Sequence, residues 1–337
     1  MVYTSSNVLP WGEEMDSEFH YYITGFLAER SGFTESEAAT IAYASDYVDY
    51  NCQAYEIKER WGDSNGYCNE ISQTMDIIKP RSERIHIYPL FHFVPGDPNA
   101  ESARRHDGRT HPLNTTPNSA KANMMIDAAL SGEISGGADE QLLHGIGIAS
   151  HAYIDTWAHQ NFIGIKDDFN QIGNDPKPNI GHADAGYSPD IPCLLWQDER
   201  LENPQIDNRD RFIEAGMALF VKYLKFNKDR NSAAGCTVEE MEAELAALLG
   251  ASSTMSSMEL NRSNRYARYK QKISFLEAFD PDKWWHQAVR HESSSYFWKV
   301  PKEQTQWFQF QEAVKKHAAF TFKLIKPELK AAGIEVG

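Results

Sequence analysis

His144, His151, Asp155 and His159 lie along one short stretch at spacings of seven, four and four residues. At roughly 100° per residue they share an arc of about 80°, so a single helix aims all four side chains at one place. Neutral imidazole and ionised carboxylate are the donors that zinc, iron and manganese take. An HxxxDxxxH row supplies two or three of them to one ion, or bridges two ions. The intervening Ile146, Ile148, Ala152, Ile154, Trp157 and Phe162 leave such a helix little solvent-facing surface. A buried His or Asp needs a strong partner, which favours a metal site over a solvated polar face.

More donors occur upstream. His20 sits among Phe19, Tyr21 and Tyr22, Asp46 and Asp49 lie three apart, and His92 stands in the run Leu90-Phe-His-Phe. Each alone reads as a hydrogen-bonded core group; together with the 144–159 row they favour one shared site. Asp155, Asp49 or Asp46 would bridge ions or take a proton from a metal-bound water. Asp139, Asn161 or Asp190 would fix the imidazole tautomers from behind.

The order His20, Asp49 or Asp46, His92, then His151-xxx-Asp155-xxx-His159 resembles the helical superfamily of zinc-dependent phospholipase C and single-strand nucleases. More narrowly, Glu18-Phe-His-Tyr-Tyr, Ile41-Ala-Tyr-Ala-Ser-Asp-Tyr-Val-Asp-Tyr-Asn51 and His151-Ala-Tyr-Ile-Asp-Thr-Trp-Ala-His-Gln-Asn-Phe162 resemble an uncharacterised microbial family near that superfamily, over roughly the first 200 residues. The resemblance implies a mostly helical fold around zinc ions that activate water against a phosphodiester. It implies His20, Asp49, His92, His151, Asp155 and His159 as ligands, with Asp155 bridging and Asp155 and Asp49 catalytic. The late HxxxE or HxxxD pair of the superfamily has no direct counterpart, so His182-Ala-Asp184, or else His291-Glu292, would stand in for it. Secreted members also ligate through a processed N-terminal tryptophan, and no processing signal precedes Trp11; two ions are therefore expected rather than three.

Those donors need helices to hold them. Glu13 to Arg30 reads as a helix stopped by Ser31-Gly32, and Thr34 with Glu37 as the capping box of a second helix ending near Asn51. Ile85–Val94 is extended or a short buried segment broken by Pro89. Asn118 or Ser119 opens a helix closed by Gly132, and Ala138 to Phe162 is the donor-bearing one. The stretch 164–209, rich in Gly, Pro, Asn and Asp, is a long loop of the kind that lines a site. Helices follow over Asp210–Phe226, from the Thr237–Glu240 capping box to Gly250, over Ser256–Phe279, after an Asp280-Pro281 start, and over Lys302–Lys326 before Pro327. Strand signals are few, so the fold is expected to be mainly α: one multi-helix bundle spanning 1–337, with the helices of 210–337 packed on the core.

Composition bounds the rest. The 337 residues carry a formal charge of −15 with 41% hydrophobic content, which argues against duplex nucleic acid or anionic membrane as partner and leaves a phosphoester or other small molecule. No apolar run approaches the eighteen or so residues of a membrane span, and the N-terminus lacks the pattern of a secretion signal, so a cytoplasmic location is expected. Cys52, Cys68, Cys193 and Cys236 form no CxxC pair and read as reduced thiols, with a Cys52–Cys68 bridge left open.

Several other signals weigh less. His106-Asp107 lies in a charged loop rather than on a helix; Arg104, Arg105 and Arg109 around it would suit a phosphate. Arg262, Arg265, Arg268, Lys270 and Lys272 with Tyr266 and Tyr269 form a basic stretch read as a solvated helix face. Trp284, Trp285, Trp298 and Trp307 are expected to pack the C-terminal helices. The composite expectation is a hydrolase with two divalent ions, zinc before iron or manganese. The alternatives are a di-iron, oxygen-activating enzyme and a non-enzymatic interaction or effector protein whose helices a metal staples.

Overall fold

A computed structural model describes residues 17–74, 84–137, 139–173, 179–230 and 232–335; Trp11 and the expected helical start at Glu13 lie outside them. The donor-bearing helix forms as α5 (Asp139–Ala158) and is the hub of a mainly helical architecture. Around it pack α2 (Glu35–Tyr50), α3 (Ile87–Phe91), α4 (Ala120–Leu130), α6 (Asn208–Asp229) and α10 (Gln306–Ala331). Between α2 and α5 the backbones approach closely at Gly147. A Cβ there would lie 2.5 Å from the Ile41 carbonyl oxygen and 2.7 Å from the Ala44 Cβ, so only glycine permits the approach that brings Asp49 of α2 alongside His151 of α5.

Local chemistry sets the element ends. Thr34 and Glu37 form the reciprocal cap of α2, and Thr237 and Glu240 that of α7 (Val238–Leu249). The first helix is π-helical over Glu18–Ile23 and continues as α1 (Thr24–Ser31), ending at Gly32 with φ 111°. Such a turn is a common device at functional sites. Here it buries Glu18 and His20 together with their aromatic neighbours. Pro89 does not break its segment, because it occupies the first turn of α3, where its missing N–H has no helical acceptor to bond.

Several expected boundaries move; the donor-bearing helix ends at Ala158 rather than Phe162, and the last helix begins at Gln306 rather than Lys302. α8 covers Met258–Lys272 rather than reaching Phe279; beyond it Ile273 and Leu276 turn inward and are buried, so burial overrides helix continuation. α9 (Lys283–Ala288) starts after Asp282 instead of Asp280. The Asp280 carboxylate accepts the Asp282 amide and its carbonyl accepts the Tyr43 hydroxyl, which holds that residue in a turn. α10 runs through Pro327 to Ala331; both Pro327 and Lys323, whose carbonyl loses its helical donor, face solvent, and water can replace the missing bond.

The strands are short. β1 (Glu56–Lys58), β2 (Tyr67–Cys68), β5 (Val289–Glu292) and β6 (Ser295–Trp298) form a sheet in the order β2-β1-β6-β5, with β1 parallel to β6. β3 (Leu195–Gln197) and β4 (Gln205–Asp207) make an antiparallel pair inside the stretch expected as a loop. One hydrophobic cluster runs from Phe19 to Leu329. Trp284 and Trp307 lie within it, the Trp284 ring tilted against Tyr43 with centroids 4.0 Å apart and the Trp307 indole donating to the Tyr47 hydroxyl at 3.2 Å. None of the four cysteines forms a disulfide. Among the described residues no helix is long and apolar enough to cross a membrane.

Candidate metal centre

Side chains from α2, the end of α3 and α5 meet at a buried point. His92 Nδ1 and His151 Nε2 lie 3.1 Å apart. Asp49 Oδ1 is 3.6 Å from the first and 3.7 Å from the second, and Asp155 Oδ2 is 3.4 Å and 3.2 Å from them. Four donors bonded at about 2.0–2.1 Å to one tetrahedral ion would stand roughly 3.3–3.4 Å from each other. Five of the six edges of the Asp49–His92–His151–Asp155 cage, 3.1–3.7 Å long, are close to the size that four donors of one ion require. The two Asp155 oxygens are buried and accept no hydrogen bond with proper alignment; the imidazole nitrogens around them converge on a shared centre rather than along N–H···O lines.

Asp155 faces two ways. Its Oδ1 lies 3.2 Å from His20 Nε2, delivered by the π-turn, while Oδ2 belongs to the cage. The His20 and His151 rings stack at 3.9 Å, and His20, His151 and Asp155 form a second donor group. On this side the centre borders a small recess lined by Phe19, His20, Ile154, Asp155, Ala158, Asp190 and Phe212.

A third group is His159, His182 and Asp190. Asp190 Oδ1 is 3.1 Å from His159 Nε2, and Oδ2 is 3.3 Å from His182 Nε2. The His159 ring is sandwiched between Phe93 at 4.4 Å and His182 at 4.9 Å. Asn208, at the start of α6, fixes the loop that brings in Asp190: its amide donates to the carbonyls of Ser188 at 2.7 Å and Ile191 at 2.8 Å.

Backbone carbonyls choose the tautomers. His92 Nε2 lies 2.9 Å from the Ser72 carbonyl, His159 Nδ1 2.8 Å from that of His92, and His182 Nδ1 2.8 Å from that of Gly186. A carbonyl can only accept, so each of these nitrogens carries the proton, and in a neutral ring the other nitrogen points its lone pair at the carboxylates. Behind His92, Ser72 receives a bond from Asn51, which in turn receives one from Gln311 of α10.

The electrostatics call for a cation. Burial, reinforced by His20, pushes His151 down to about 3 against the pull of Asp155, so it is neutral. Burial alone would raise Asp155, but His159, His151 and His20 hold it well below the usual carboxylate range. Burial also opposes the charging of His159, yet Asp155 and Asp190 prevail and lift it to about 9. Without a metal, a proton on His159 supplies positive charge to this cluster, and it occupies the nitrogen a metal would need. Three buried carboxyl groups, Asp49, Asp155 and Asp190, face these imidazoles, and the donor sets can hold divalent metal ions.

The structure thus gathers His20, Asp49, His92, His151, Asp155, His159 and His182. Two other expected ligands are corrected. Asp46 lies outside the three groups; its Oδ2 accepts the Ser17 hydroxyl at 3.0 Å, and its charge acts on Tyr21 and Tyr22. Asp184 Oδ2 accepts the Ile172 amide at 3.0 Å. The carboxylate that partners His182 is Asp190, which the sequence offered only as a tautomer-fixing residue; nothing in its loop has a period that would single it out. His144 points elsewhere, its Nε2 lying 2.8 Å from Gln306 Oε1. His291 and Glu292 sit on the surface strand β5, where Glu292 pairs with Arg290. The Asp139 side chain lies outside the described residues.

The cationic signals resolve as well. Asp107 is bound by Arg105 and Arg109, and Arg105 also donates to the Phe169 carbonyl at 2.8 Å. Arg265 is not a solvated base: fully buried, it grips Glu18 with bonds of 2.6 and 2.8 Å and ties α8 to the π-turn that presents His20. No curated protein and no solved structure matches the chain. Residues 15–325 match the Family of unknown function (DUF6765), a span holding every donor of the three groups, and the chain belongs to that family.

Proposed function

We propose that this protein is a metal-dependent hydrolase of a phosphoester, with zinc as its working metal. One observation carries the reading: Asp155 turns one oxygen to the buried His92 and His151 nitrogens and the other to His20 at the edge of a recess. A carboxylate shared in this way is how paired ions are held a few ångströms apart, and the nitrogen and oxygen donors at tetrahedral spacing suit zinc. The likeness of the His20 to His159 series to zinc-dependent phospholipase C and single-strand nucleases supports a phosphodiester as the substrate.

Bound metal would lower the pKa of a coordinated water towards neutrality and so supply the nucleophile. The chain's residues do the remainder. Phe19, Ile154, Ala158 and Phe212 wall the recess with apolar surface that excludes bulk water. Asp155 and Asp190 are the carboxylates on that wall. Asp155, held low by its imidazoles, is a poor base, so Asp190, the other carboxylate on that wall, would be the residue placed to take a proton from such a water. Asp49, turned into the cage, acts as a ligand in this scheme.

The test is elemental analysis of protein purified without added metal, together with turnover of bis(p-nitrophenyl) phosphate by the wild type and by Asp155→Ala. Bound zinc and turnover in the wild type, both lost in the variant with the helical circular dichroism retained, support the reading. Full turnover by Asp155→Ala, or a wild type that binds no metal, ends it. Iron in place of zinc, with oxygen consumption, would replace it with oxygen chemistry.

A further inference from the structure

In the three donor groups every side chain except that of His182 is at most 5% exposed, and the recess beside His20 and Asp155 has room for about one water molecule. No phosphodiester reaches the donors through such a wall, so part of it must move. The wall is not uniform. The carbonyls of Ser188 and Ile191 are held by Asn208, and the Gly181 amide donates to the Ile163 carbonyl at 3.2 Å. Between those fixed points none of the residues His182–Tyr187 is buried, whereas Gly181 and Ser188–Asp190 on either side are.

A single 3-10 turn, Ala183–Ala185, forms the middle of this segment. The Ala185 and Gly186 amides bond within it, to the His182 and Ala183 carbonyls. Those of Ala183 and Ser188 bond across its two ends, to Ile180 and Ala185. A rotation at the ends therefore breaks two short-range bonds and leaves the turn intact. Both ends carry a glycine at positive φ, Gly181 at 52° and Gly186 at 59° with ψ −134°, and glycine enters and leaves such conformations without steric cost. Two side chains reach from the segment to the body. Asp184 Oδ2 accepts the Ile172 amide at 3.0 Å. The His182 ring lies over that of His159 at 4.9 Å, with its Nε2 3.3 Å from Asp190.

We propose that His182–Tyr187 is a gate over the metal centre, with His182 as its plug. Turning on Gly181 and Gly186, the segment lifts the His182 ring from His159 and Asp190. Asp190 lines the recess, so uncovering it joins the recess to solvent and gives a substrate room beside Asp155. The gate deepens the phosphoesterase reading and rests on it only for what passes through.

Alkylation of a thiol placed on the recess wall by Ala158→Cys tests the gate. Two further substitutions, each added to that background, loosen the closed form. Asp184→Ala removes the bond to Ile172. Gly186→Ala strains only the backbone, since a Cβ there would meet no atom within 4 Å. Iodoacetamide, its product located by mass spectrometry, should label the introduced thiol at least about tenfold faster in each double variant than in Ala158→Cys alone. Melting temperature and amide exchange of α5 should stay unchanged. Equal labelling rates, or faster labelling matched by faster α5 exchange and a lowered melting temperature, overturn the gate. Turnover of bis(p-nitrophenyl) phosphate by the wild type separates the two readings. If labelling responds to the loosening substitutions but no phosphodiester is turned over, the hydrolase reading falls and the gate stands. If turnover proceeds and labelling does not respond, the gate falls and the hydrolase reading stands.

Discussion

The cage and the recess use the same kinds of donor on different supports. Asp49, His151 and Asp155 sit within α2 and α5, locked together at Gly147, and His92 caps α3 with Ser72, Asn51 and Gln311 behind it. On the recess side, His20 comes from a π-turn, while His182 and Asp190 come from a loop fastened by Asn208. Exposure follows the same division: the side chain of His151 is 0% exposed and that of His182 19%. Rigid helices with closed ligation suit an ion that stays; an adjustable wall suits one whose remaining positions exchange water and substrate.

The largest effect that would test this contrast comes from removing one ligand on each side. His92→Ala should abolish the cage ion and lower the melting temperature of metal-loaded protein by roughly 10 °C or more, since metal binding is coupled to folding. His182→Ala should cost one ion and only about 2 °C. Equal losses in the two variants, read by elemental analysis and thermal melts, would erase the distinction between a structural and an exchangeable side.

Next in size is the buried Glu18–Arg265 pair, which anchors the π-turn. Arg265→Met should cost about 3–5 kcal/mol in denaturant unfolding, because it strands the Glu18 charge, and the double variant Glu18→Leu/Arg265→Met should recover most of it. Metal retention should weaken at His20 before it weakens in the cage. A single variant as stable as the wild type would show that the pair anchors nothing.

The smallest effect concerns α10, which backs the cage. His317 is fully buried, stacks on Phe91 at 5.2 Å and lies 3.2 Å from the Leu90 carbonyl. Burial pushes it down to about 4, against that bond. The unfolded chain, with an ordinary histidine pKa near ~6.5, therefore binds the extra proton first. The contribution of a neutral His317 is complete above pH ~6.5, shrinks as pH falls towards 4 and is gone below it, a change on the order of 3 kcal/mol. Unfolding curves of wild type and His317→Gln across that window should differ in slope by this amount; parallel curves would count against it.

Much of the architecture was legible because it is local. Capping boxes at Thr34 and Thr237, the Gly32 stop and the small polar start at Ser119 are decided within four residues of chain. The α5 donor row was legible for the same reason, since helical periodicity alone puts His151, Asp155 and His159 on one side. Asp49 and Asp46 show where that logic stops. They lie three apart on one helix and are chemically alike, and only the packing of α2 against α5 and the π-turn sends one into the cage and the other to Ser17. Asp184 and Asp190 were likewise indistinguishable in a loop without period.

By itself the sequence determined the helices, the burial of their apolar faces and the supply of imidazole and carboxylate, because each follows from neighbours a few residues away. Tertiary structure alone decided which donors converge, that Asp190 partners His182 and that Arg265 is spent on Glu18. Those outcomes depend on distances between segments up to 247 residues apart in the chain, and such distances are set by how whole faces interlock rather than by any local preference.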